Sequence, residues 1–206
     1  MFEYKVKETE VRGVFGTNKT VMPGQLRERY AEYTYATVGI LFLNKNKEFS
    51  RQQVLGNLDY YHLRSACYLD FYLPGFDLRN GGHKFDMEEF VEFIEYFEAS
   101  SKWRYGGETE LLLLQFNKET GFDFSKCISI WVDKAVADGY IYSFSVLFEQ
   151  LIQTARKTME VSVFSKGLML EGLPGLIFEN ILAYLKNDVA KTLCREEIYR
   201  LRDFEP

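Results

Sequence analysis

The chain has 206 residues, of which 47% are apolar and 27% charged, and its net charge is −5 at pH 7. This length suits one hydrophobic core with extensions, and the composition is that of globular proteins rather than of disordered or fibrous ones. The acidic balance argues against a surface built for phosphate backbones, so nucleic acid is not expected as a partner.

Cysteine usage and the absence of long apolar runs indicate the cell compartment. Cys67, Cys127 and Cys194 are far apart and form no C-x-x-C pair. Neither a disulfide framework nor a thiolate zinc site is indicated, and we expect no metal and no cofactor. The N-terminus lacks the apolar run of a secretion signal, and no segment reaches the ~20 apolar residues of a membrane span. We therefore expect a cytoplasmic protein that does not enter the membrane.

The first part of the chain predicts an extension followed by a core strand. Residues 1–36 are polar, with two possible edge strands around "EYKVKETEV" and "NKTVM" and a short helix in "GQLRERYAEY". The run "TVGILFL", residues 37–43, is apolar and rich in branched side chains, as expected of a strand that is buried on both faces. We take it as the first strand of the core.

A helix is predicted next, over residues 50–66. Ser50 and Gln53 have the spacing of a capping box, in which each side chain satisfies a free backbone N–H at the helix start. Behind the box, apolar residues follow helical spacing and are predicted to face the core: Val54, Leu55, Leu58 and Tyr61.

A second strand and a second helix follow. "YLDFYL", residues 68–73, alternates and is stopped by Pro74 and Gly75. Asp86 and Glu89 form another capping box, after which one helical face carries Met87, Phe90, Val91, Ile94 and Phe97. The opposite face carries an acidic stripe with Glu88, Glu92 and Glu95. A solvated face is the favoured interpretation of the stripe, and a docking surface for a basic partner is the alternative.

The remaining core elements are two strands and a helix. The strands "ELLLLQF", residues 110–116, and "CISIWV", residues 127–132, are separated by only ten residues, too few for a parallel crossover. We therefore predict an antiparallel hairpin with Gly121 near its turn. Ser143 or Ser145 then caps a helix whose inward residues are Phe144, Leu147, Phe148, Leu151, Ile152 and Ala155.

The order strand, helix, strand, helix, strand, strand, helix predicts an α/β fold with the element order of a thioredoxin-like fold: a βαβ unit, a helix, an antiparallel hairpin and a helix. Only the order agrees, because no C-x-x-C or proline occurs at the positions where a redox thioredoxin has them, and we expect no redox activity. The predicted organisation is one globular unit, with an extension at 1–36, the core at 37–158 and a helical extension at 159–206. That last extension has helices in "LPGLIFENILAYLKN" and "DVAKTLCREEIYRLRD".

Two pairs of residues are candidates for catalysis. His62 and Asp70 have the residue types of a general base oriented by a carboxylate. A structural role is favoured, with Arg64 as the partner of Asp70, because a buried carboxylate needs one. Glu108 and Glu110 stand two apart at a strand entrance and would share a side, as an acid and base pair requires. A charged strand entrance is the favoured interpretation there.

A ligand site is predicted in the loop 74–86. The loop follows the carboxyl end of a parallel strand, where open α/β sheets bind ligands, and it contains Asp77, Arg79 and His83 beside two glycines. Backbone N–H groups there and at the next helix N-terminus could attract an anion. A plain connection is the favoured alternative.

No nucleotide-binding, zinc-protease or nucleophile motif occurs in the sequence. Aromatic residues are abundant, at 17%, and several tyrosines lie in polar company: Tyr30, Tyr33, Tyr35, Tyr60 and Tyr105. Tyrosine is typical of protein interfaces. The sequence therefore favours a non-catalytic interaction or regulatory module that binds another protein, or itself as a homo-oligomer, through apolar and aromatic surface of its extensions. The alternative is a small hydrolase or sensor for a phosphorylated or nucleotide-like ligand at the 74–86 loop.

Overall fold

The computed structural model describes residues 14–17, 22–65, 68–78, 84–101, 103–139, 141–157 and 199–200. Over these residues the chain has an α/β architecture, as predicted, with one large mixed sheet and one small sheet. None of the helices in this part of the chain combines the length and apolar character needed to cross a membrane.

The large sheet has six strands in the order β1-β3-β2-β6-β7-β8. Strands β4 and β5 form a separate two-stranded sheet. The strands are β1 (Val14–Thr17), β2 (Tyr35–Phe42), β3 (Asp70–Pro74), β4 (Phe76–Asp77), β5 (Lys84–Phe85), β6 (Glu110–Asn117), β7 (Gly121–Trp131) and β8 (Tyr199–Arg200).

The large sheet contains both parallel and antiparallel pairs of strands. Strand β3 lies parallel to β1 and β2, and β6 lies antiparallel to β2. Strands β6 and β7 form an antiparallel hairpin, which confirms the prediction from their short connection. The turn is shorter than predicted because β7 begins at Gly121, whose φ is +88°. The side-chain oxygen of Asn117 accepts the backbone N–H of Glu119 at 2.8 Å and closes the turn.

In the described part of the chain, five α-helices cover the two faces of the large sheet: α1 (Met22–Arg29), α2 (Leu58–Ser65), α3 (Met87–Ser100), α4 (Val132–Ala137) and α5 (Phe144–Ala155). Helices α2 and α5 pack on one face against Leu41, Phe71 and Leu113. Helices α1 and α3 pack on the other face against residues such as Val38 and Leu112. The alternation of side chains along each strand supplies both cores, so the central strands are apolar on both faces except at a few buried polar residues, among them Asp70 and Glu110.

The segment before α2 differs from the predicted helix over 50–66. Residues Ser50–Val54 form a π-helical turn and Leu55–Asn57 a 3₁₀ turn before α2 begins. Ser50 is not a helix cap, because its hydroxyl is fully buried and forms a hydrogen bond with the hydroxyl of Thr109 at 2.6 Å. A tertiary contact thus replaces the predicted capping box.

Helix α3 begins as predicted but is rotated relative to the predicted face. The Asp86 carboxylate accepts the backbone N–H groups of Glu88 at 2.9 Å and Glu89 at 3.1 Å. Phe90 and Phe97 face the sheet as predicted, and Phe93, which was not part of the predicted face, is buried with them. Met87 and Val91, which were predicted to face the core, are 52% and 41% exposed. Three aromatic rings bury more apolar area than the alternative face, and this sets the rotation.

For the remaining long helix, the buried face was predicted correctly, and Ser143 is the N-terminal cap among the two predicted candidates, Ser143 and Ser145. The Ser143 hydroxyl accepts the backbone N–H of Val146 and caps α5, whose predicted inward residues are all buried. Helix α4 was not predicted. Near the C-terminus, Tyr199–Arg200 form strand β8 on the edge of β7, where a helix was predicted. The unpaired edge of β7 decides the conformation there, since an edge strand offers free backbone groups. The predicted helix over "LPGLIFENILAYLKN" and the strand in "EYKVKETEV" lie outside the described residues.

Candidate functional site

The structure separates His62 from Asp70. Asp70 is fully buried, and its Oδ2 accepts hydrogen bonds from Arg29 Nε and from the Tyr30 hydroxyl, each at 2.6 Å. Asp70 stands two residues before Tyr72, so both side chains are on the face of the sheet that α1 covers. His62 is half-buried on α2, which packs on the opposite face. The two residues therefore do not form the dyad that sequence reasoning considered.

The predicted pairing of Asp70 with Arg64 is wrong. Arg64 donates from Nε to Glu149 Oε1 at 2.7 Å and also bonds Glu149 through its second nitrogen. Glu149 is on α5, so this ion pair joins α2 to α5. Arg64 and Asp70 are close in sequence but belong to opposite layers, and Arg29 of α1 takes the partner role instead.

The structure places Glu108 and Glu110 in different surroundings. Strand β6 begins at Glu110, so Glu108 lies in the preceding turn and the predicted two-residue alternation does not apply. The Glu108 carboxylate forms an ion pair with Lys47. Glu110 is fully buried and its Oε1 accepts hydrogen bonds from Trp103 Nε1, at 2.6 Å, and from the Ser129 hydroxyl.

A polar junction forms where β2 ends and β6 begins. It consists of Lys47, Ser50, Glu108, Thr109 and Asp133, which come from three segments far apart in sequence. Lys47 Nζ lies between the carboxylates of Glu108 and Asp133, with Asp133 Oδ2 at 2.8 Å. The backbone carbonyl of Thr109 also accepts the N–H of Val132 at 2.8 Å. The side chains of the junction form ion pairs and hydrogen bonds with one another, so the junction holds the three segments together.

Burial dominates the acid–base chemistry around Glu110. The pKa of the Cys127 thiol is raised well above its ordinary value by burial and further by the charge of Glu110. Burial, followed by Glu110 and Asp133, also raises the pKa of Tyr105. Both groups stay protonated at neutral pH, and a protonated buried thiol is a poor nucleophile. Within the described residues, no group of three His, Cys, Asp or Glu side chains could hold a metal ion.

The loop predicted to bind a ligand is described only in part. Asp77 lies opposite Lys84 in the backbone register of strands β4 and β5. Arg79 and His83 lie outside the described residues. The Asp86 carboxylate occupies the N–H groups at the start of α3, which an anion would otherwise use. The ligand role of Asp77, Arg79 and His83 stays a prediction.

Helices α2 and α5 belong to the same layer and carry exposed apolar residues, Tyr60 and Leu63 on α2 and Val146 on α5, and Tyr142 is exposed just before the Ser143 cap of α5. We call these four residues the α2–α5 surface. Leu63 is 73% and Tyr142 is 88% exposed. The Tyr60 hydroxyl donates to Glu149 Oε1 at 2.5 Å, beside the ion pair with Arg64. Apolar side chains exposed together on a rigid surface are a feature of interaction sites.

The five tyrosines named in the sequence analysis differ in their burial and contacts. Tyr30 is buried as a partner of Asp70, and Tyr33 and Tyr105 pack against the core that α1 and α3 cover. Tyr35 and Tyr60 are exposed. Sequence reasoning missed Leu63, an exposed apolar residue on α2, and Tyr142, an exposed residue just before the Ser143 cap of α5. Comparison of the chain with protein-family models, curated proteins and solved structures found no match.

Proposed function

We propose that the chain is a non-catalytic α/β interaction module that pairs with a second copy of itself through the α2–α5 surface. One observation carries the proposal. Of the eight large apolar side chains that are exposed in the described part of the chain, four belong to this surface, including the two most exposed, Leu63 and Tyr142. The sequence placed the interaction on the terminal extensions, whereas the proposal now rests on helices of the core.

The non-catalytic part of the proposal is supported by how the candidate catalytic groups are used. Asp70 is held by Arg29, Glu108 by Lys47, and Glu110 by Trp103 in the core. The contact of Asp70 holds α1, that of Glu108 holds the turn before β6, and that of Glu110 holds the ring of Trp103. A carboxylate engaged in this way is not available as a general base without breaking the contact.

A thioredoxin-like layout of the core is also part of the proposal. Its support is the strand order β3-β2-β6-β7, with β2 and β3 parallel and β6 antiparallel to both of its neighbours. Helices α2 and α5 share one face of this sheet and α3 covers the other. In such a layout the element after β2 would carry the redox cysteines, and here it carries Lys47 and Ser50. A cytoplasmic location completes the proposal and is supported by the free, buried thiol of Cys127.

The balance of charge points to a second copy as the partner. The charged residues of α2 and α5 are Asp59, Arg64 and Glu149, and Arg156 follows the last residue of α5, which makes two acids and two bases. When a surface pairs with itself about a two-fold axis, each group meets a group of the same surface. A surface with one dominant sign would repel its copy, whereas this balanced surface does not. The Arg64–Glu149 pair also holds the two helices in place before association, which lowers the cost of binding.

The experiment is a comparison of molar mass in solution by light scattering. We expect the wild-type chain to reach twice its monomer mass of 24.2 kDa as concentration rises. Leu63→Lys should leave a monomer, because it places a charge at the most apolar point of the contact. Since Leu63 is mostly exposed, the variant should unfold at the temperature of the wild type measured at a concentration where the wild type is monomeric.

The matched control is Met87→Lys. It makes a similar change at an exposed apolar residue of α3, on the other face of the sheet. We expect this control to associate like the wild type. A monomeric wild type, or equal loss of association in both variants, would rule out the α2–α5 surface as the contact.

A further inference from the structure

Helix α3 holds the excess negative charge of the protein. Residues 86–98 contain six of the chain's 30 acidic residues, and residues 86–101 contain no lysine, arginine or histidine. The rest of the chain therefore has 24 acids against 25 bases. A net charge of −5 that would otherwise be spread over the surface is concentrated on one helix.

This concentration works against the stability of the helix. Glu92 and Glu95 stand three residues apart, as do Glu95 and Glu98, and like charges at this spacing repel. The last turn of α3 has no basic residue of its own, and the positive charge that favours this end of the helix dipole comes from Arg104 outside the helix, which donates to the backbone carbonyls of Glu98 and Ser101 at 3.1 Å. Solvated helices usually mix both signs and gain from such pairs. The all-acidic surface of α3 therefore makes the helix less stable than a surface with charges of both signs would.

Exposed apolar residues interrupt the acidic surface. The burial of Phe90, Phe93 and Phe97 turns Met87 and Val91 outward, where they are 52% and 41% exposed. They stand one turn apart, and Glu95 continues the row one turn further. The row of Met87, Val91 and Glu95, together with exposed Glu88, is called the α3 surface below.

We propose that the α3 surface docks a basic, amphipathic segment of another protein. The exposed methionine and valine side chains accept the apolar side of such a segment, and the glutamates accept its lysines or arginines. A second copy of this chain is not the occupant, because two α3 surfaces would bring like charges together. The surface is separate from the α2–α5 surface, since α3 covers the other face of the sheet.

The test uses a defined probe, a fluorescein-labelled helical peptide of leucine and lysine with all lysines on one side. Its binding to the full chain is measured by fluorescence anisotropy at physiological salt. We expect Glu95→Lys to weaken binding by about fivefold, because it replaces an attraction between exposed charges by a repulsion. Val91→Ser should weaken binding as well, because it removes the two methyl groups of Val91 from the α3 surface. This variant leaves the net charge unchanged, so a loss of binding cannot come from charge alone.

Glu119→Lys is the matched control, as it changes the net charge equally in the exposed turn between β6 and β7. We expect it to bind the peptide like the wild type. Glu95→Lys should also unfold at a temperature no lower than that of the wild type, because the new lysine is three residues from both Glu92 and Glu98. Absence of peptide binding by the wild type overturns the proposal. Equal losses in Glu95→Lys and Glu119→Lys, or unchanged binding in Val91→Ser, also overturn it.

Discussion

Replacing Asp70 by asparagine tests the role of the buried carboxylate that fastens α1 to the sheet. Asp70→Asn keeps the shape of the side chain and removes the charge that Arg29 and Tyr30 contact at 2.6 Å. A hydrogen bond to a charged group contributes about 1.5–3 kcal/mol, and breaking a buried ion pair costs about 3–5 kcal/mol. Arg29 is only partly buried and can regain water. We therefore expect the free energy of unfolding to fall by about 2–4 kcal/mol.

Urea unfolding followed by circular dichroism measures this loss. With a urea dependence of about 2–3 kcal/mol per molar, the midpoint should fall by roughly 1 M or more. Tyr30→Phe, which removes a single hydroxyl, should cost about 1–2 kcal/mol. Asp138→Asn is the matched control at an exposed position and should cost under about 0.5 kcal/mol. The reasoning is refuted if Asp70→Asn costs no more than Asp138→Asn.

Three further predictions follow from individual contacts. The hydrogen bond from Arg64 lowers the pKa of Glu149 below its ordinary value, so the pair stabilises the fold fully above the ordinary pKa and loses its effect as pH falls through the lowered pKa. The stability difference between wild type and Glu149→Gln should thus shrink on acidification, and a constant difference would contradict it. With the other two cysteines replaced by serine, Cys127 should react with a thiol reagent at about pH 8 only after unfolding, because burial raises its pKa; fast labelling of the folded chain would refute this. Gly75→Ala should cost more stability than Gly107→Ala, because both have φ above +70° but only the Gly75 Cβ would meet a backbone oxygen, at 2.6 Å; equal costs would disprove the clash.

The parts of the fold that sequence predicted well depend on local distance and spacing. The hairpin of β6 and β7 followed from a connection too short for a crossover, and the direction of that pair does not depend on any distant residue. Helix α5 was predicted from helical spacing and from its cap at Ser143, both of which are local signals. In each case neighbouring residues in the chain determine the result.

The parts that sequence could not predict depend on residues far apart in the chain. Ser50 has the spacing of a cap, but its hydroxyl is bound by Thr109, 59 positions away. Asp70 was assigned the nearest base in sequence, Arg64, although the layers of the sheet bring Arg29 to it from 41 positions away. Which face of the sheet a side chain meets is a property of the assembled layers and has no local signal.

The exposed apolar residues of the α3 surface could not be predicted, because helical spacing allows two overlapping apolar faces on α3. In α3, Met87 and Val91 fit one apolar face, and Phe90, Phe93 and Phe97 fit another that overlaps it. Only packing against the sheet decides between the two rotations, and the larger rings turn inward. The same choice exposes the two smaller residues among the glutamates.

Sedimentation equilibrium of the wild-type chain tests the central claim, that the α2–α5 surface joins two copies. Four exposed apolar residues make a modest contact, so the dissociation constant should lie in the micromolar range. The account predicts a monomer–dimer equilibrium that Leu63→Lys abolishes and Met87→Lys leaves unchanged. A single mass of 24.2 kDa at every concentration up to roughly 100 μM would contradict it.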